Sequence, residues 1–410
     1  MTVTLDTIVA ARRRIAGGVF RTPCTEAPGL SDLVGARVFC KLEYKQRTGS
    51  FKERGARNAL ELLEPDARGR GVVAASAGNH ALALAWHGRD LGIPVTVVMP
   101  RTAPIVKQTR CAGYGARVEL AGANIGEAKE RADELVLSNG LTYVHGFDGA
   151  DIIAGQGTLG LELLEEIDDL DAVVVPVGGG GLLAGVAVAI KALRPEVEII
   201  GVEPARAASF AAAAAAGEPV RIEMQPTLAD GLAVPEVGAR AFELAHGLVD
   251  ELHTVDEESI SLAILRLAEL HRGVVEGGGA ATLAAFLEGR LERLRGRTVA
   301  LLLCGGNIDP MVLSRVIQHG LTVDGRLVRF TAIVRDRPGG LHQLVDAIAA
   351  AGASVRDIRH ERAFGGPDVS TVLVDCTIEV RDRAHGEAVL AGVQAAGLDL
   401  RRIDESDPSR

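Results

Sequence analysis

Nothing in this chain is built to cross a bilayer. Hydrophobic residues make up 47% of its 410 residues, yet no uninterrupted apolar stretch is long enough to span hydrocarbon. The longest alanine run, Ala211–Ala216, stops before Gly217 and Pro219. The opening Met1-Thr-Val-Thr-Leu-Asp6 lacks the basic-then-apolar pattern of an export signal. Basic charge is also short. The net charge is −10 and no basic stripe stands out, which argues against a nucleic-acid partner. The five cysteines, Cys24, Cys40, Cys111, Cys304 and Cys376, are odd in number and scattered without metal-ligand spacing. Reduced thiols in a cytoplasmic protein are the expectation. The chain is too long for one typical domain, so a large core with an accessory unit is expected.

What is present centres on Lys52, in the segment Lys41-Leu-Glu-Tyr-Lys-Gln-Arg-Thr-Gly-Ser-Phe-Lys52-Glu-Arg-Gly55. A lysine between an aromatic residue and a glycine-containing turn can form an imine with an aldehyde cofactor. Desolvation or a neighbouring cation makes such an amine nucleophilic, and Arg47 and Arg54 are nearby in sequence. The plain alternative is a solvated helix start with Ser50 as its cap.

Three further segments share one grammar of strand, glycine turn and helix. Val173–Val177 is a β-branched apolar run followed by Gly178-Gly-Gly-Gly181 and the helix-like Leu182–Ile190. Backbone N–H groups and a helix N-terminus at such a turn suit a phosphate. A flexible linker is the alternative, but linkers are polar and these glycines join two hydrophobic elements. Val72–Ala75 leads into Ser76-Ala77-Gly78-Asn79-His80, and Val299–Leu303 into Cys304-Gly-Gly-Asn307. In open α/β sheets ligands bind beyond the carboxyl ends of strands, where these turns lie.

With these motifs the chain resembles the pyridoxal-phosphate enzymes of the β-family, or fold type II, in the threonine/serine dehydratase branch that contains the threonine ammonia-lyases. The matching segments are Thr48–Lys52, Ser76–His80, Ile153–Thr158, Val175–Gly181, Thr227–Gly231 and Cys304–Asn307, in the family's order over roughly residues 5–320. Strand and helix signals alternate at crossover length, a doubly wound α/β pattern. The resemblance implies two lobes in a catalytic region 1–322, the smaller inserted at about 53–150, with the cofactor in the cleft. After the polar joint Val323–Arg326, residues 327–410 read as βαββα with a closing strand near Leu398–Arg402, a ferredoxin-like plan. That plan is similar to an ACT domain. A hairpin-like Phe364–Asp368 is expected inside it. The turn Asp336-Arg-Pro-Gly-Gly-Leu341 is the resemblance's position for an amino-acid effector, such as a branched-chain one. A dimerisation module without ligand is the alternative, and a homo-oligomer is expected.

The resemblance also implies roles. Lys52 would carry pyridoxal phosphate and move the Cα proton, and Phe51 would lie against the ring. Asn79 would bond the ring hydroxyl, Gly178, Gly179, Gly180, Gly181 and Leu182 would hold the phosphate, and Cys304 would sit at the pyridine nitrogen. Ser76, Asn79 and His80 would form the substrate-carboxylate loop, with His80 shaping it rather than acting as base. A neutral Cys304 would suit β-elimination over transamination. Ala77 stands where related racemases carry a serine, which disfavours racemisation. Glu203-Pro204 is followed by Ser209 where cation-binding relatives have an acid, so no metal is expected. Leu82, Tyr44 and Lys45 also depart from the pattern and leave the preference for threonine or serine open. The expected reaction is deamination of L-threonine to 2-oxobutanoate, with L-serine as second substrate. Serine or 3-hydroxyaspartate dehydratase and a non-catalytic amino-acid sensor are the alternatives.

Overall fold

The computed structural model describes residues 2–361 and 369–402. It divides into two compact units, Met1–Asp309 and Pro310–Arg410. In chain order the strands of the first are β1 (Cys24–Glu26), β2 (Arg37–Lys41), β3 (Val72–Ala75), β4 (Val95–Met99), β5 (Arg117–Leu120), β6 (Thr142–Tyr143), β7 (Ala172–Pro176), β8 (Glu198–Pro204), β9 (Glu251–Val255) and β10 (Thr298–Leu302). A six-stranded sheet has the order β1-β2-β10-β7-β8-β9, and a four-stranded sheet has β5-β4-β3-β6. Only the β1–β2 edge pair is antiparallel, and the other ladders of these sheets are parallel. Among the described residues no helix is long and apolar enough to cross a membrane.

The sequence explains the layering. Every residue of β7 and of β10 is buried, as parallel strands covered by helices on both faces must be. Burying each such valine or leucine contributes roughly 1.5–3 kcal/mol relative to exposing it. Helix Gly181–Leu193 follows β7 and packs on helix Ala150–Glu166, which in turn packs on helix Lys52–Glu61. The lysine-bearing helix is fastened there by charge. Arg54, 1% exposed, donates to Glu43 Oε2 and Oε1 at 2.9 and 2.7 Å and to Glu162 Oε1 and Oε2 at 2.7 and 2.8 Å. Lys41 Nζ joins the cluster at 2.8 Å from both Glu162 and Glu166. Arg54 is therefore committed to carboxylates. Arg47 donates to Gly18 O at 2.8 Å and lies over the Phe20 ring. Neither guanidinium acts on Lys52 as the sequence suggested.

The second unit contains helix Pro310–Val323, which sequence reading passed over, and then β11 (Leu327–Arg335), helix Gly340–Ala350, β12 (Ser354–Glu361), β13 (Thr371–Glu379), helix Arg383–Ala395 and β14 (Asp399–Arg402). Its antiparallel sheet runs β12-β13-β11-β14, the strand order of a ferredoxin-like fold. Residues of β13 alternate between buried and part-buried, so one face packs on the two helices. Phe330, Leu344, Ile348, Val374, Val389 and Val393 form its core. The expected hairpin Phe364–Asp368 lies outside the described residues.

Candidate active site

The strands of both sheets in the first unit end around one cavity of about 530 Å³. Phe51, Lys52, Ser76, Asn79, His80, Gly178–Gly181, Leu182 and Cys304, all singled out from sequence, line it. The turn that carries Lys52 is sewn to the loop after β10. Phe51 N donates to Cys304 O at 3.0 Å, Gly306 N to Gly49 O at 3.0 Å, and Ser50 bridges Gly305. Gly49 has φ +84°, and a Cβ there would meet Asn307 Oδ1 at 2.8 Å, so only glycine lets these two segments close. Lys52 opens helix Lys52–Glu61, and its Nζ donates to Gly146 O at 2.7 Å. Loss of water lowers its pKa to about 8, while the Glu276 carboxylate pulls the other way.

Across the cavity, Gly180 is left-handed at φ +87°, and helix Gly181–Leu193 begins without a side-chain cap. Its first N–H groups and dipole are left for an anion. The glycines have a second cause that the sequence did not reveal. A Cβ at Gly179 would stand 2.3 Å from the Phe147 ring, and one at Gly181 2.1 Å from Phe147 O. The loop closes on Phe147 of the chain itself, so a side chain at Gly179 would disturb packing before it reached any phosphate.

A second uncapped helix start faces the cavity. Gly78 caps helix Asn79–Leu91 without a side-chain bond, directly after β3. Asn79 Nδ2 donates to Glu276 Oε1 at 2.7 Å, and Asn79 Oδ1 accepts from Asn307 Nδ2 at 2.8 Å. His80 is 5% exposed and its Nε2 bonds Val144 O at 3.1 Å. Burial, then the nearby Lys52, push its pKa down to about 3. It is a neutral imidazole donating to a backbone carbonyl, and so it holds the loop in shape.

Cys304 is buried, and burial followed by Glu276 raises its thiol well above the usual range, so it is neutral. Glu276 itself was missed from sequence. It precedes helix Gly277–Leu287, and burial followed by Asp230 pushes its carboxyl up to about 7. The available signal was a lone acid in the apolar, glycine-rich stretch Val274-Val-Glu276-Gly-Gly-Gly279. Elsewhere Glu203, also raised to about 7 by burial, accepts from Phe210 N and Ala211 N at 2.7 and 2.8 Å and caps helix Ser209–Ala216.

An amine of depressed pKa and two uncapped helix starts around one cavity fit a phosphate-bearing aldehyde cofactor together with a carboxylate ligand. The family described as pyridoxal-phosphate dependent enzyme matches residues 15–305. The L-threonine ammonia-lyase of Thermotoga maritima is 42% identical over 401 residues, 98% of this chain and all of that one. The solved processed form of threonine deaminase isoform 2 from Solanum lycopersicum is 36% identical with a TM-score of 0.73, covering 77% of this chain and 92% of that one. Serine racemase from Dictyostelium discoideum is 35% identical with a TM-score of 0.71, covering 75% of this chain and all of that one.

Proposed function

We propose, for a chain that belongs to the pyridoxal-phosphate-dependent enzyme family, the reaction of an L-threonine ammonia-lyase. L-Threonine loses its α-proton and β-hydroxyl as water, and one water returns to release 2-oxobutanoate and ammonia. Pyridoxal phosphate, when bound, supplies the electron sink at Cα. The chain supplies holding, orientation and proton transfer.

Lys52 Nζ takes the α-proton. With a pKa of about 8, roughly a tenth of the free amine is unprotonated at neutral pH, which suits a base and a nucleophile. Gly178–Gly181 and Leu182 would hold the phosphate at the uncapped start of helix Gly181–Leu193. The loop of Ser76, Asn79 and His80 would receive the substrate carboxylate at the start of helix Asn79–Leu91, with His80 shaping it, and Asn79 would bond the ring hydroxyl. Phe51 would lie against the cofactor ring, and a neutral Cys304 thiol beside the pyridine nitrogen would leave that nitrogen uncharged. Ala77 brings no hydroxyl to the opposite face of Cα, which disfavours racemisation.

The observation that carries this reading is the convergence of the Lys52 amine and two uncapped helix N-termini on one cavity. One helix start suits the cofactor phosphate and the other the substrate carboxylate. The purified protein should show the visible absorbance of a lysine-bound aldehyde and form 2-oxobutanoate from L-threonine. kcat/KM should fall in the order L-threonine, L-serine, 3-hydroxyaspartate. A protein that lacks the absorbance and forms no keto acid overturns the assignment, and a different order moves it to one of the other hydroxy amino acids.

The domain reading is of the same kind. Residues 1–322 would be the catalytic region, with the smaller lobe at about 53–150, and 327–410 an ACT-like regulatory domain. Gly339 at φ +90° opens helix Gly340–Ala350 without a side-chain cap, at the end of the turn Asp336–Leu341. That backbone would accept the carboxylate of a branched-chain amino acid. A cytoplasmic homo-oligomer completes the proposal.

A further inference from the structure

The segments Thr227–Gly231 and Cys304–Asn307 match the resemblance, yet the roles assigned so far give Asp230, Gly231, Gly305 and Asn307 no task. All four surround Glu276. The residue is 6% exposed, and its side chain ends in a slot that glycines leave open. A Cβ on Gly305 would stand 2.2 Å from Glu276 Oε1, and one on Gly231 3.6 Å from the same atom. No alanine at 305 could coexist with this carboxylate position.

The two oxygens have different partners. Oε1 accepts from Asn79 Nδ2 at 2.7 Å, and Oε2 from Asn307 N at 2.9 Å. Asn307 extends the chain of bonds. Its Nδ2 donates to Asn79 Oδ1 at 2.8 Å and to Thr48 O at 2.7 Å, and its Oδ1 accepts from Arg110 at 2.9 Å. Both atoms of the Asn79 amide are therefore fixed from the Glu276 side of the cleft. The same network reaches the turn that carries Lys52. The charged and titratable groups facing Glu276 are Asp230, Lys107, Lys52 and Cys304.

We propose that Glu276 is a positioning residue whose ionised carboxylate holds the Asn79 amide in working orientation, so that turnover follows the charge on Glu276. The inference rests on the ammonia-lyase reading. An ionised carboxylate accepts from both N–H groups at full strength. A protonated one turns one oxygen into a hydroxyl and weakens that hold. Burial moves this change to about pH 7, within the range of ordinary assays. The functional form is the deprotonated one, so activity rises with pH through that point. Stability runs the other way. The folded pKa is raised from 4.5 to about 7, so the stability tied to this group is fully present below 4.5 and is lost as pH rises through 7.

The test uses holoenzyme carrying Glu276→Gln or Glu276→Asp. Glutamine cannot accept from both donors, and kcat on L-threonine should fall by about 100-fold, the scale of a small misplacement of a reacting group. The pH titration of the visible cofactor absorbance should lose its component near neutrality in the glutamine protein and regain it in the aspartate protein. The thermal midpoint of the glutamine protein at alkaline pH should equal or exceed that of the wild type, because a buried charge is gone. An unchanged absorbance titration overturns the proposal. So does a loss of activity matched by a lower midpoint and weaker cofactor binding, which marks a purely structural residue. If the wild type forms no 2-oxobutanoate, the ammonia-lyase reading fails, while the absorbance titration still decides the role of Glu276.

Discussion

The two units use β-structure in opposite ways. In the first, β7 and β10 are buried at every position, and helices occupy both faces. Only the strand ends remain free, and there the chain places Gly178–Gly181 and Cys304–Asn307. In the second, β13 alternates and the helices cover one face of an antiparallel sheet. The first arrangement concentrates polar backbone at a cleft, where low polarity moves pKa values: Lys52 and His80 down, Glu276 up. The second offers turns and a broad face, which suit ligand sensing or pairing rather than proton transfer.

That division can be broken by substitution. The largest effect is expected from Lys52→Ala, which should lower turnover by roughly 1,000-fold or more and abolish the visible absorbance. Circular dichroism and the thermal midpoint should stay near wild type, because Lys52 is part-buried at a helix start. Near-native kcat with cofactor bound would reject the site. Next comes Arg54→Met. It leaves the buried Glu43 with neutral donors alone and Glu162 with Lys41 as its one remaining cation, and should destabilise the first unit by about 3–5 kcal/mol in urea unfolding. A shift under about 1 kcal/mol would mean that the cluster is solvated after all.

A third experiment sharpens the comparison by removing one side of it. Ending the chain at Val323, before β11, should leave kcat on L-threonine within about threefold, as expected for a catalytic region with its own core. Any response to isoleucine or valine should vanish, because an effector acts only through differential affinity for two states. A truncated enzyme that still responds would put regulation in the first unit. The smallest effect is expected at the cavity rim, where Lys107 Nζ lies 3.1 Å from Asp230 with side-chain exposures of 31% and 67%. Lys107→Met should change stability by less than about 1 kcal/mol and leave the KM for threonine nearly unchanged. A tenfold rise in KM would recast this pair as a substrate gate.

Much of this architecture was legible in the sequence for a physical reason. Strand, glycine turn and helix leave local marks, so the elements around Ser76–His80, Gly178–Gly181 and Cys304 were found to within a few residues. Lys52 was marked by its own turn. What the sequence hid depends on contacts between distant segments. Arg54 reads as a neighbour of Lys52 but turns to Glu162, 108 positions away. Gly179 reads as phosphate space but also makes room for Phe147. Glu276 gains its character only when Asn79, Gly305 and Asn307 close around it. Helix Pro310–Val323 was missed because its start, Asp309-Pro310, reads equally well as a turn.

The pairing of β2 with β10, from Thr298 against Arg37 to Leu302 against Lys41, governs when the protein can first become an enzyme during synthesis. Lys52 leaves the ribosome early, but the segment that locks its turn, Cys304–Asn307, is made some 255 residues later. At roughly 5–20 residues per second, that interval is about 13–50 s. Throughout it the lysine-bearing turn lacks its partner, and the β2 edge is open to other strands. A nascent chain stalled before β10 should therefore bind no pyridoxal phosphate and should associate with chaperones. Release of a chain that includes residue 307 should restore binding, and cofactor capture by the shorter chain would refute this order of assembly.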